Sequence, residues 1–216
     1  MLISLCVLAY KRPDLLAKTL GGIKATADVP YQLIVNLDGG DETNQEYLFS
    51  MLKANGISSL ILNAGKNRGV GRSFQNCLGL CEGEIIYKID TDLTFREKWM
   101  STSTNILLRN PEVGSVSLFN YRNYDPVDTR FEILEERSDH LLVNDYVSSI
   151  YCFRAKDLPK IMPVADDGNH TKLPKLAITK EDYCQNWGFG VGKSVYVSGT
   201  MEHPYKTPTF KEPLIL

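Results

Sequence analysis

Short apolar runs recur through the first ninety residues, at Ile3 to Ala9, Gln32 to Leu37, Leu60 to Leu62 and Glu84 to Ile89, with helically spaced stretches between them. The first run shows no polar alternation, as expected of a strand covered on both faces, and strands of that kind belong to parallel sheets flanked by helices. The repeated order of apolar run, then helical pattern, is that of βαβ units. Pro13-Asp14 opens a helix over about 14 to 25, with Leu15, Leu16, Leu20 and Ile23 on one face. Further helices are expected over Asn44 to Ala54 and about 72 to 81. The fold class is α/β, a Rossmann-like and mainly parallel central sheet with helices on its faces.

Beyond residue 95 the rhythm changes. Glu97 to Arg109 reads as a helix, Val143 to Phe153 as a strand and Pro159 to Pro174 as a loop. A helix is expected to start at Thr179 with Asp182 in its first turn, and Lys193 to Val197 reads as a late strand. A length of 216 residues suits a single domain.

Composition removes some classes of function. Lys and Arg total 24 against 26 Asp and Glu, a formal charge of −2, so nothing in the overall charge favours nonspecific nucleic-acid binding. No segment approaches the ~18 apolar residues of a membrane span. The opening MLISLCVLAY runs directly into Lys11-Arg12-Pro13, as a buried strand ending in a loop does, rather than into a cleavage site. The cysteines, Cys6, Cys77, Cys81, Cys152 and Cys184, are odd in number and sit mostly in apolar or helical surroundings. They read as reduced thiols, and the expected location is cytoplasmic.

Polar residues collect where the apolar runs stop, which is where ligands bind in open α/β sheets. Asp90-Thr91-Asp92 directly follows Ile85-Ile86-Tyr87-Lys88-Ile89. Two carboxylates so close together repel unless a cation joins them, and hard oxygen ligands select Mg2+ or Mn2+, the ions that neutralise a diphosphate. The same residues also suit an ordinary acidic turn. Asp38 stands in Asp38-Gly39-Gly40-Asp41, where it can accept a hydrogen bond from a ligand or cap a turn. The loop Asn67 to Arg72 offers Gly69 and Gly71 for close backbone approach and Arg72 for a phosphate, or marks a tight turn before a helix. It lacks the G-K-[ST] ending of a P-loop.

Taken in order, these motifs resemble the inverting family 2 glycosyltransferases of the GT-A fold. The resemblance runs through Ser4 to Pro13, Asn36-Leu37-Asp38-Gly39-Gly40-Asp41, Asn67-Arg68-Gly69-Val70-Gly71-Arg72-Ser73 with Asn76, Asp90-Thr91-Asp92 and Glu181-Asp182-Tyr183. It implies a nucleotide-sugar donor, UDP-linked by preference, flanked by Ala9, Tyr10, Arg12, Asp38, Gly69, Arg72, Asp90 and Thr91. It implies Mn2+ or Mg2+ held by Asp90, Asp92 and His203, Asp182 as general base, and Glu181 and Trp187 at the acceptor. Residues 1 to about 95 would form the donor half and about 96 to 216 the acceptor half. The acceptor class stays open among glycan, lipid carrier, protein and modified nucleic-acid base, as does a homo-oligomer.

The sequence departs from the family pattern in Gly39-Gly40, where Ser or Asp is usual, and in lacking a Q-x-x-R-W segment, which argues for single transfers. A sugar nucleotidyltransferase would carry a Gly-rich loop where Ala9 to Pro13 stands. A noncatalytic module on the same fold would have no use for Asp90, Asp92 and Asp182 together. Each acidic site has a structural alternative, such as first-turn acids favoured by a helix dipole at Glu181-Asp182.

Overall fold

The computed structural model describes residues 1–39, 42–63, 65, 67–118, 132–143, 150–161, 176–180 and 184–186. Its first half follows the predicted rhythm closely. Strand β1 (Ile3–Ala9) is buried at every position, and helix α1 (Pro13–Thr26) follows with proline in its first turn. Leu15, Leu16, Thr19, Leu20 and Ile23 of α1 are buried. Then come β2 (Tyr31–Asp38), α2 (Glu42–Lys53), β3 (Ser59–Asn63), α3 (Val70–Leu78) and β4 (Ile85–Asp90).

The second half is β5 (Leu93–Phe95), α4 (Trp99–Arg109), β6 (Ser115–Ser117), β7 (Ile133–Glu136), β8 (His140–Val143), β9 (Ile150–Arg154), α5 (Leu158–Ile161), β10 (Leu176–Thr179) and β11 (Cys184–Asn186). The main sheet has the order β3-β2-β1-β4-β9-β6-β10-β8-β7, and β11 pairs with β5 in a separate antiparallel ribbon. The four strands from β3 to β4 are parallel. Strand β9 then lies antiparallel between β4 and β6, so the sheet is mixed.

Side chains of β1 alternate between two cores, as a pleated strand requires. Ile3, Leu5, Val7 and Ala9 pack with Leu16, Leu20 and Ile23 of α1, Leu48 of α2 and Trp99, Met100, Ile106 and Leu107 of α4. Cys6 and Leu8 point the other way, into a cluster with Phe74, Cys77 and Leu78 of α3 and Tyr151 and Phe153 of β9. Helices α1, α2 and α4 therefore cover one face and α3 the other.

Three expectations for the second half need correction. Val143 to Phe153 is not one strand: β8 ends at Val143 and β9 starts at Ile150, and the two sit apart in the sheet. No helix begins at Thr179, which closes β10 opposite His140 of β8. Pairing to β6 on one side and β8 on the other satisfies the backbone of β10, and that ladder outweighs the local capping pattern. Within the expected loop 159–174, residues through Ile161 complete helix α5. The predicted strand Lys193 to Val197 lies outside the described residues.

Candidate active site at the strand ends

Strand β1 pairs with β2 on one side and β4 on the other, so the chain reverses its direction of winding there, and the carboxyl ends of strands at such a point are where open α/β sheets bind ligands. Ala9 ends β1, Asp38 ends β2 and Asp90 ends β4, with Asp90 opposite Leu8 in the register. The predicted donor residues thus come from one end of the sheet.

Past Ala9 the backbone is unusual. Lys11 and Arg12 have φ of 53° and 56°, a left-handed conformation uncommon for residues with a side chain. That turn reverses the chain into α1, where the Arg12 carbonyl accepts the N–H groups of Leu15 and Leu16, both at 3.1 Å. Tyr10 is exposed, its ring lies against Gly39, and Lys11 Nζ stands 5.2 Å from the ring centroid. Gly39 has φ of +82°, and a Cβ there would fall 3.1 Å from Tyr10 Cε2, so both backbone and packing demand glycine.

Asp38 is buried, and its Oδ2 accepts N–H groups from Arg68 at 2.7 Å and Gly69 at 2.9 Å. The Gly69 N–H is shared with Asn67 Oδ1 at 2.8 Å. Asp38 therefore fixes the loop that precedes α3, and Gly69, with φ of +89°, caps that helix. Arg68 and Arg72 are exposed at the same end. Behind Asp38, Asn63 Nδ2 donates to Asn36 Oδ1 at 3.0 Å, Asn36 Nδ2 to the Ser73 carbonyl at 3.1 Å and Asn76 Nδ2 to Asn63 Oδ1 at 3.4 Å. These asparagines lock β2, β3 and α3 together beneath the loop.

At the end of β4, Asp90 Oδ1 lies 2.7 Å from Nζ of Lys88, a lysine only 3% exposed. Thr91 and Asp92 are buried. The residue after Asp92 is held by α1: Thr19 Oγ1 donates to the Leu93 carbonyl at 3.0 Å and accepts the Leu93 N–H at 3.2 Å. Asp90 and Asp92 are hard oxygen donors at one strand terminus, which suits a divalent cation completed by ligand oxygens. Among the described residues no three His, Cys, Asp or Glu side chains form a metal group by themselves. Glu181, Asp182, Trp187 and His203 lie outside the described residues.

Lys88 and the asparagine network were not singled out from the sequence, although both left a signal. A charged residue inside Ile85-Ile86-Tyr87-Lys88-Ile89 has to find a partner when the strand is buried, and Asn36 lies on the same strand face as Asp38. His140 is buried in β8 with Nδ1 2.7 Å from Asp139 Oδ1. Asp139 is held in turn by Arg109 Nη2 at 2.8 Å.

The sequence model of the family described as glycosyl transferase family 2 matches residues 4–169. The chain belongs to this family. Its fold is that of the GT-A glycosyltransferases. The mannosyltransferase PcManGT from Pyrobaculum calidifontis in complex with GDP-Man and Mn2+ superposes with a TM-score of 0.60 at 16% identity, over 78% of this chain and 49% of that one. GalNAc-T7 with UDP, GalNAc and Mn2+ gives 0.68 at 10% identity, over 82% and 42%. S. aureus TarS 1-349 in complex with UDP-GlcNAc gives 0.61 at 16% identity, over 85% and 58%. At these identities the likeness is one of fold, and the family 2 chain spans roughly half the length of each of these structures. No curated protein sequence matches it. No helix among the described residues is long and apolar enough to cross a membrane.

Proposed function

We propose that the chain transfers a sugar from a nucleoside-diphosphate donor, UDP-linked by preference, to an acceptor hydroxyl with inversion and with a divalent metal. The observation that carries this reading is the meeting of Tyr10, Asp38 with its loop, and the Asp90-Thr91-Asp92 turn at one end of β1, β2 and β4. Structures of the same fold contain GDP-Man or UDP with Mn2+, which supports the donor class.

Each role follows from what the side chain can do. The exposed Tyr10 ring offers a face for a base. Asp38 commits Oδ2 to the loop, and Oδ1, which accepts only a long 3.5 Å contact from Asn63 Nδ2, keeps lone-pair capacity for a base N–H. Arg12 and Arg72 supply cationic groups for the diphosphate, and the Gly69 backbone permits its close approach. Asp90 and Asp92 would hold Mn2+ or Mg2+, with His203 as a further ligand. The ion supplies positive charge to the departing nucleoside diphosphate. Asp182 would take the acceptor hydroxyl's proton from the face opposite the leaving group, with Glu181 and Trp187 shaping the acceptor site. The division into a donor half, 1 to about 95, and an acceptor half, about 96 to 216, belongs to this proposal.

The test is calorimetric titration of UDP, GDP and dTDP with and without Mn2+, on the native chain and on Asp92→Ala. Binding of one nucleotide that needs Mn2+ and disappears in Asp92→Ala is the expected result. Absence of binding by all three overturns the proposal in favour of a noncatalytic module.

A further inference from the structure

Lys88 sits in the middle of the sheet, between Cys6 of β1 and Tyr151 of β9, and is 3% exposed. It lies on the same strand face as Ile86, whose cluster with Leu8, Phe74 and Phe153 packs against α3. An ammonium group in such surroundings is unfavourable unless it is paired. The pair is Asp90, two residues along the same face, whose Oδ1 lies 2.7 Å from Nζ and whose side chain is 26% exposed toward the strand ends. A buried cation therefore reaches the acidic turn from the core side.

That contact changes what the turn presents to an ion. Asp90 and Asp92 alone carry two negative charges, and Lys88 reduces the local sum to one. A dissolved divalent cation gives up hydration to bind, and a site with one net charge compensates this poorly. The diphosphate of a donor brings the missing charge. Resting on the donor-site reading above, we propose that Lys88 is a positioning residue that makes cation binding conditional on the nucleotide. It pins Asp90 by one oxygen and suppresses capture of the metal by the empty protein. Linkage requires the converse, so the metal tightens nucleotide binding by the same factor as the nucleotide tightens metal binding.

Lys88→Met removes the charge while keeping an apolar stem for the core. Removing one unit charge from the immediate surroundings of a divalent ion would change its affinity by about tenfold even at the dielectric of water. Mn2+ alone is titrated calorimetrically into nucleotide-free native protein, Lys88→Met, Lys88→Gln and Lys88→Arg, with folding checked by circular dichroism. The titration is repeated with the nucleoside diphosphate the native protein binds. The expected result is Mn2+ binding at least tenfold tighter to whichever neutral variant folds, native-like binding in Lys88→Arg, and a smaller nucleotide effect in the neutral variants. Equal Mn2+ affinity for native and neutral variants overturns the proposal. Failure of every nucleotide to bind the native protein would instead remove the donor-site reading, while the metal-only comparison still decides the role of Lys88.

Discussion

Asp38 accepts the Gly69 N–H at 2.9 Å, and through that bond the end of β2 sets the start of α3. The neighbouring Arg68 N–H goes to the same oxygen. Asp38→Ala leaves the Arg68 N–H to water and the Gly69 N–H to Asn67 Oδ1 alone in a partly buried loop, at a cost of about 2 kcal/mol. Urea denaturation should show that loss, and calorimetry should show nucleotide binding weakened at least tenfold. Asp38→Asn, which keeps one acceptor oxygen, should fall between. An unchanged denaturation midpoint in Asp38→Ala would show that these bonds contribute nothing to the loop.

Gly39 is the floor under Tyr10. Gly39→Ala puts a side chain at φ +82°, worth about 1 kcal/mol of strain, and its Cβ 3.1 Å from Tyr10 Cε2. The ring must move. Nucleotide affinity should fall several-fold, Tyr10→Ala should lose a similar amount, and the double variant should lose little more than either alone. Additive losses would mean that the two residues act separately.

Two glycines should respond with opposite sign. A Cβ on Gly83 would lie 2.5 Å from the Ser4 nitrogen and 2.7 Å from the Ile3 carbonyl carbon, both backbone atoms of β1, so relief requires the strand itself to shift. Gly83→Ala should cost at least about 3 kcal/mol, or yield no folded protein. Gly21, inside α1 with nothing within 4 Å of its added Cβ, should gain about 0.5 to 1 kcal/mol as alanine. Thermal unfolding of the two variants reads both outcomes.

Cys81 should react faster than Cys6 and Cys152. The Cys6 thiol, with its sulfur 3.4 Å away, stabilises the Cys81 thiolate and lowers its pKa. Burial raises Cys6 well above the ordinary range and pushes Cys152 up to about 12. Thiolate is the reacting form, so alkylation of Cys81 should reach half its maximal rate at a pH below that of an ordinary cysteine, while Cys6 and Cys152 stay unlabelled at neutral pH. Peptide mapping after iodoacetamide treatment across a pH series checks this. Equal labelling of Cys81 and Cys152 would contradict it.

The first half of the chain was legible because its strands are mostly apolar and alternate regularly with helices that carry one apolar face, so the local pattern gives the order of elements from Ile3 to Asp90. The second half depends on distant partners. Thr179 looks like a helix cap until β8 and β6 are known to flank it. Residues 143 to 153 look continuous because nothing in the alternation reveals that β8 and β9 lie in different parts of the sheet. In the site, Asp38 suited both ligand acceptor and turn former. The structure shows it capping a loop thirty residues away, a partner no local motif names. Lys88 was hidden for a related reason: its meaning lies in the contact with Asp90, and hydropathy registers only an interruption.

Strand β9 forms the junction between the parallel strands and everything beyond them, since it borders β4 on one side and β6 on the other. During synthesis β4 is complete some sixty residues before β9 leaves the ribosome. Throughout that interval the nascent parallel sheet carries an open edge ending in the Lys88–Asp90 pair. An open, mostly apolar edge is the part of a half-made sheet that another nascent chain can join. The chain's exposure to misassembly is thus set by the order in which its segments emerge, and translation pauses placed before residue 150 would lengthen it.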